Sequence, residues 1–321
     1  MTDFNRRGLL AASGAMALAA CAPAAPKAPA KPTVTEGMAP VPGGKVWWRK
    51  VGEGDKAPLL TLHGGPGAGH DYLEPLAALA DQRPVIFYDQ LGCGRSEKPA
   101  DDSLWTIDHF AAEIDALREA LKLDRVCILG HSWGGFLAVD YMTDRARKGV
   151  EALILASGSA STPQATRGIQ GLVDAMPNGA GARIHALEKA GQMEGQEYQD
   201  LVGQFYALHL FRGDMNNPLF QATIKNLGST PVYPVMNGPN EFTITGNIRD
   251  WDRVAQLNKI DCPTLITTGE FDEVTLDCAQ TLNQGIRGSR LEVLKGASHL
   301  YTLEQPQTYN ALVRGFLADK A

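Results

Sequence analysis

The sequence predicts an α/β protein: a doubly wound, mostly parallel sheet interrupted by a helical insertion. Three observations carry this reading. Short apolar runs ending in polar residues or glycine recur along the chain, as strands buried on both faces of a parallel sheet do. Stretches of helical spacing fall between them, and alternating βα units generate a doubly wound sheet. Residues 160–245 then break the rhythm, being rich in Gln, Gly, Asn and Met and without clear buried strands.

The chain opens on an address rather than a fold. Asn5-Arg6-Arg7-Gly8 precedes an apolar run ending at Ala20, and Gly8 to Ala20 is 13 residues. A bilayer-spanning helix needs about 20. A charged start, a short apolar stretch and small residues before a cleavage point read as an export signal over residues 1–20. The paired arginines resemble a twin-arginine signal. Leu18-Ala19-Ala20-Cys21 resembles a lipobox, which would make Cys21 the lipidated first residue of an exported, periplasmic lipoprotein held at the membrane only by that anchor. An ordinary secretory signal with a chance cysteine is the plainer alternative. Residues 21–40 read as an Ala/Pro-rich tether, with prolines at 23, 26, 29 and 32 favouring extended polyproline II.

The body divides into a core of residues 41–159 and 246–321 and a helical cap of 160–245. Strands are expected at 45–51, 58–63, 84–89, 125–130, 151–156, 263–268 and 290–294. Ile107, Phe110, Ala111, Ile114, Leu117 and Leu121 line one face of a helix. Further helices should follow Ser132 and close the chain over 306–317. The cap carries helix-like stretches near 166–176, 181–192 and 196–212, a plausible lid over the carboxyl ends of the strands. A net charge of −6 disfavours a nucleic-acid partner, which requires a basic footprint. Five cysteines without a CxxC pair make neither a disulfide scaffold nor a zinc site. No metal or organic cofactor is implied.

Gly130-His131-Ser132-Trp133-Gly134-Gly135 contains G-x-S-x-G between an expected strand and an expected helix. In that context the turn lifts the serine hydroxyl clear of the sheet, which makes Ser132 the candidate nucleophile. A serine needs a base, and the base an orienting acid, in chain order acid then histidine. Downstream lie only His185, His209 and His299. The first two fall in the cap, whereas His299 follows the last strand. Asp272 follows the strand before it; Asp261 precedes that strand, and Asp277 belongs to the next helix. The candidate triad is therefore Ser132, Asp272 and His299. His63-Gly64-Gly65-Pro66-Gly67 follows the second strand, so an amide there, taken as Gly65, and that of Trp133 can form an oxyanion hole. The His63 side chain reads as structural. No Lys-Ser/Thr follows these glycines, which disfavours a phosphate loop.

Together His63-Gly-Gly-Pro-Gly67, Asp89-Gln-Leu-Gly-Cys-Gly-Arg-Ser96 and Gly130-His-Ser-Trp-Gly-Gly135 resemble the proline iminopeptidase family of α/β-hydrolases. The resemblance is nearest to the branch that includes the tricorn-interacting aminopeptidase. Gly269-Glu-Phe-Asp-Glu273, Ala297-Ser-His299 and Met236-Asn-Gly-Pro-Asn-Glu-Phe242 extend it over roughly residues 40–315. It implies that Glu241 and Glu273 capture the substrate's free amino terminus; without it Glu241 reads as a helix cap or lid salt bridge and Glu273 as a solvated loop carboxylate. It also implies a serine aminopeptidase that removes an amino-terminal residue, preferentially proline, from short peptides, and the leader makes that enzyme an exported one. Amino-acid amides and esters present the same groups, and remain an alternative. A lactonase or carboxylesterase would leave both glutamates without purpose, and a silent binding protein would leave the triad without one. Residues 89–96 read as a supporting loop, with substrate contact by Arg95 as the alternative. Phe205, Tyr206, Phe211 and Tyr233 are candidates for a pyrrolidine pocket.

Overall fold

A computed structural model describes residues 32–144 and 148–318. The expected export signal, Cys21 and residues 21–31 of the tether lie outside them. Eight strands form one sheet: β1 (Val34–Val41), β2 (Gly44–Val51), β3 (Leu59–Leu62), β4 (Val85–Tyr88), β5 (Val126–His131), β6 (Val150–Ala156), β7 (Thr264–Gly269) and β8 (Arg290–Leu294). Their order is β1-β2-β4-β3-β5-β6-β7-β8. β1 and β2 are antiparallel to their neighbours, and the rest run parallel. Strands β3, β4, β5 and β7 are buried at every residue, which is why they read as continuous apolar runs. All seven expected strands are present.

The assigned tether runs too far. Its last residues belong to β1, which pairs with β2 from Val34↔Val51 to Val41↔Gly44. Pro42 and Gly43, the latter at φ 81°, make the turn. Pro40 is tolerated because β1 is an edge strand, and Val34 and Met38 face solvent. Its inward face offers only Gly37, Ala39 and Val41, and Pro40 interrupts the run, so this strand carries a weak apolar signal.

Between strands run α1 (Ile107–Ala120), capped by Thr106 Oγ1 accepting from His109 N, and α2 (Trp133–Asp144). The cap consists of α3 (Thr162–Asp174), α4 (Ala180–Lys189), α5 (Gln196–His209), α6 (Pro218–Leu227) and α7 (Val232–Met236). Its first three helices answer the three expected stretches. Ser161 caps α3, and Asn217 caps α6, which has Pro218 in its first turn; proline there costs no helical hydrogen bond. Ile169, Val173, Ile184, Leu187, Val202 and Phe205 build a separate cap core. Polar contacts join it to the sheet edge: Asn226 Nδ2 donates to Asp71 Oδ2 (2.8 Å), and Thr230 Oγ1 to the Gly92 carbonyl (2.9 Å). The chain closes with α8 (Leu276–Gly285), α9 (Tyr301–Glu304) and α10 (Pro306–Leu317). The polar contacts of the cap reach the segments after β3 and β4, and His209 of α5 meets the loops after β7 and β8 through the Phe271 carbonyl and the His299 amide.

Candidate active site

Ser132 sits between β5 and α2 at φ 56°, a left-handed conformation that costs a non-glycine residue energy and recurs at functional turns. The turn is possible because a side chain on Gly130 would overlap the Gly134 carbonyl, and one on Gly134 the Leu62 carbonyl. The Ser132 amide donates to Ala156 O at 2.9 Å, which fixes the turn on the neighbouring strand.

Asp272 and His299, on the loops after β7 and β8, come together as the topology requires. His299 Nδ1 donates to Asp272 Oδ1 at 2.6 Å. The second carboxylate oxygen accepts from Ser157 Oγ, Thr268 Oγ1 and Gly269 N, while Val274 N donates to the first. Burial alone would raise the Asp272 pKa, but the His299 charge and these donors hold it below the usual carboxylate range. Burial likewise opposes charge on His299, yet Asp272, Glu273 and Glu241 outweigh it and raise its pKa to about 9.

A chain of buried donors ties the surrounding loops together. Gly64 N donates to Tyr72 Oη (2.7 Å), Tyr72 Oη faces His131 Nδ1 (3.0 Å), and His131 Nε2 faces the His299 carbonyl (2.9 Å). The carbonyl can only accept, so His131 carries its proton on Nε2 and takes the tyrosine hydroxyl on Nδ1. Burial and the nearby His299 lower the His131 pKa to about 3, so it stays neutral. A second bridge centres on Gln90, fully buried. Its side chain donates to His63 O and accepts from Trp133 Nε1, and its amide donates to His63 Nε2, each at 2.9 Å. His63 is thus structural, and Gln90 joins the two segments that carry the Gly65 and Trp133 amides. Among the described residues neither amide is spent on another protein group.

Glu241 and Glu273 arrive from opposite sides, one on the loop after α7 and one beside Asp272. Glu241 Oε1 accepts from Tyr233 Oη at 2.7 Å, and the half-buried residue lines the cavity. Glu273 is 2% exposed; its Oε1 lies 3.6 Å from His299 Nε2, and its Oε2 is buried without a partner. Burial, with Glu241 and Asp272 nearby, raises the Glu273 pKa to about 8; burial also raises that of Glu241. An orphaned carboxylate oxygen of this kind is costly unless a cation occupies the site.

Ser132, Gly65, Glu241 and Glu273 line two adjoining cavities, of about 290 and 30 Å³. The larger is also walled by His299, Tyr72, Tyr206 and Tyr233, the smaller by Trp133, Phe136, Ile169 and Val274. Phe205 and Phe211 pack into hydrophobic clusters instead. Arg95 stacks on the Trp47 ring, 4.4 Å from its centroid, while its amide and Ser96 Oγ tie the loop to Asp89. The 89–96 segment is the expected supporting loop. His185 pairs with Asp174 in the cap, remote from the triad in its contacts. Among the described residues no group of three potential metal ligands occurs. Sequence reasoning missed Ser157 and Tyr72, placed Gln90 only within a supporting loop, and named Tyr233 as a pocket aromatic without its hydrogen bond to Glu241. Ser157 directly follows β6 and Gln90 lies two residues beyond β4, on the edge that carries the site, a positional signal available from the sequence.

Fold and site define an α/β-hydrolase of the serine type, and the alpha/beta hydrolase fold family matches residues 57–306. The proline iminopeptidase of Saccharolobus solfataricus is 42% identical over 268 residues, 83% of this chain and 86% of that protein. The proline iminopeptidase of Thermoplasma volcanium is 41% identical over 267 residues, 83% and 90% of the two chains. The crystal structure of the Mycobacterium smegmatis proline iminopeptidase superposes with a TM-score of 0.83 at 32% identity, covering 88% of this chain and 98% of that one. The chain belongs to the proline iminopeptidase family.

Proposed function

We propose that this protein is an aminopeptidase that releases an unblocked amino-terminal residue, preferentially proline, through an acyl-enzyme on Ser132. The carrying observation is the pair of enclosed carboxylates, Glu241 and Glu273, in the same cavity as Ser132 and His299. An ammonium between them would neutralise like charges that otherwise repel and would occupy the orphaned Glu273 oxygen. A prolyl ammonium is secondary and has two N–H donors, one for each carboxylate. The preference for proline itself comes from the family.

In the proposed reaction Ser132 Oγ attacks the first carbonyl while His299 Nε2 takes its proton, and Asp272 holds the Nδ1 proton and stabilises the imidazolium. The Gly65 and Trp133 amides receive the oxyanion. His299 then protonates the leaving nitrogen, and water repeats the sequence on the acyl-enzyme. An ammonium bound at the glutamates offsets the charge that keeps His299 protonated, so substrate binding favours the base form. Amino-acid amides and esters with a free amino group satisfy the same site. Export and lipidation at Cys21 are proposed from the residues of the leader alone. A panel of prolyl and alanyl arylamides, a short-chain ester and a lactone tests the activity. Arylamide turnover, with prolyl ahead of alanyl, is expected; turnover of only the ester or lactone would overturn it.

A further inference from the structure

The Glu241 carboxyl is held by Tyr233 Oη at 2.7 Å, but the backbone that carries it stands in a cap turn, across which Asn240 and Thr243 pair as an antiparallel bridge. Tyr206 and Pro239 border both the active-site cavity and a second one of about 840 Å³, so the turn stands between two open spaces. Packing reaches it on one side, where Phe242, 1% exposed, meets the Phe205 ring at 5.2 Å between centroids. Hydrogen bonds hold the rest.

Asn240 supplies the first of them. Its Oδ1 accepts from Phe242 N (3.1 Å) and Thr243 N (2.9 Å), the two residues that follow Glu241, a local side-chain-to-backbone closure that short amide side chains favour. Its Nδ2 donates to Tyr198 Oη at 2.8 Å, and that hydroxyl donates to Glu188 Oε1 at 3.0 Å. Thr243 Oγ1 donates to the same Glu188 oxygen at 2.7 Å. The Asn240 carbonyl accepts from Asn237 Nδ2 (2.9 Å), and the Phe242 carbonyl from Gln170 Nε2. Helices α3, α4 and α5 thus each hold the turn by one side chain: Gln170, Glu188 and Tyr198. Asn240 and Tyr198 are both buried. Only an amide does both jobs of residue 240. A carboxylate would accept the two N–H groups but has no proton for the tyrosine oxygen, whose own proton is spent on Glu188.

From this geometry we propose that Asn240, Tyr198 and Glu188 are positioning residues for Glu241, so that a hydrogen-bonded frame inside the cap sets the preference for a free amino end. None of the three lines the active-site cavity, and each acts through the Glu241 turn. This rests on the aminopeptidase reading and adds the residues that give it specificity. Where the Glu241 carboxyl sits is what counts, whichever of the two glutamates holds a proton before substrate arrives. A charge-assisted contact to an ammonium is short, about 2.7–2.9 Å, and a carboxyl whose supporting shell is loosened no longer meets it. The acyl group, by contrast, is addressed by Ser132, His299 and the Gly65 and Trp133 amides, which follow strands of the sheet and do not belong to the cap. Loosening the frame therefore weakens recognition of an amino end and spares the chemistry on a neutral ester.

The test measures kcat and KM of the purified full-length protein for a prolyl arylamide, its N-acetylated counterpart and an aryl acetate, in wild type, Tyr198→Phe, Glu188→Ala and Glu188→Gln. Tyr198→Phe removes one oxygen and with it both hydrogen bonds. It should lower kcat/KM for the unblocked arylamide about tenfold, chiefly through KM, and change the aryl acetate less than about twofold. Glu188→Ala should do the same. Glu188→Gln keeps an oxygen to accept from Tyr198 and Thr243, and should stay within about threefold of wild type. Each ratio of arylamide to ester is taken within one folded sample, and the Glu188 pair decides the outcome if Tyr198→Phe folds poorly. Equal losses on arylamide and ester, a loss of thermal stability alone, or a glutamine variant as poor as the alanine variant overturns the proposal. The aminopeptidase reading survives those results so long as the wild type prefers the unblocked arylamide. If the wild type cleaves blocked and unblocked arylamides alike, or cleaves neither, that reading falls and this proposal with it.

Discussion

Replacing Glu273 by glutamine separates substrate recognition from chemistry. The change keeps the shape and removes the charge of a side chain that is 2% exposed, with one oxygen orphaned and the other 3.6 Å from His299 Nε2. For a substrate with a free amino end, a charge-assisted contact worth about 1.5–3 kcal/mol is lost, so kcat/KM should fall about ten- to more than a hundredfold. For an aryl acetate, which has no ammonium, that loss does not apply. A second effect has its own signature. Glu273 is one of the charges that raise the His299 pKa to about 9, and a raised histidine pKa means that the base form accumulates only on the alkaline side. Removing the carboxylate lowers that pKa, so the rising limb of kcat/KM against pH for the ester should move to lower pH. The assay is kcat/KM for a prolyl arylamide and an aryl acetate from neutral to alkaline pH, in wild type and Glu273→Gln. Equal losses on both substrates, no loss on either, or an unmoved limb would refute the reasoning.

Ser132→Ala should abolish turnover of all substrates with the circular dichroism spectrum unchanged, and Asp272→Asn should lower kcat by about 10⁴ if the acid works as in the serine-protease template; near-normal kcat in either folded variant contradicts the triad. Ser157→Ala removes a donor to the buried Asp272 carboxylate and should reduce kcat about tenfold or more with little change in KM; a change confined to thermal stability would make Ser157 structural only. Cys21→Ser should abolish lipid labelling and release the protein from the membrane fraction; unlabelled wild-type protein in the cytosol contradicts the anchor.

The central strands were legible because both of their faces are buried, so apolar content alone marks β3 to β7. β1 was not, since its exposed edge and Pro40 and Pro42 hide the alternation. The segment Asp71–Asp81 forms a 3₁₀ helix containing Pro75, and α7 contains Pro234; proline inside such short elements masks their periodicity. The triad was legible through topology, because the strand order sends Ser132, Asp272 and His299 to one edge of the sheet. The glutamate pair was not, since Glu241 stands on a cap loop whose approach to Glu273 no local pattern encodes; resemblance alone pointed to it. The supporting contacts were hidden for a similar reason: Ser157 and Asp272 are 115 residues apart, and Gln90 and Trp133 are 43 apart.

The central claim is that the site requires a free amino terminus, and the most direct test is kcat/KM of the wild-type protein for a prolyl arylamide against its N-acetylated counterpart. The leaving group, the ring and the scissile bond are identical, and a neutral acetamide replaces the ammonium. With Glu241 and the buried Glu273 deprived of their partner, the blocked substrate should be poorer by on the order of a hundredfold or more. Comparable values for the two would contradict the account, because Glu241 and Glu273 could then have no part in recognition.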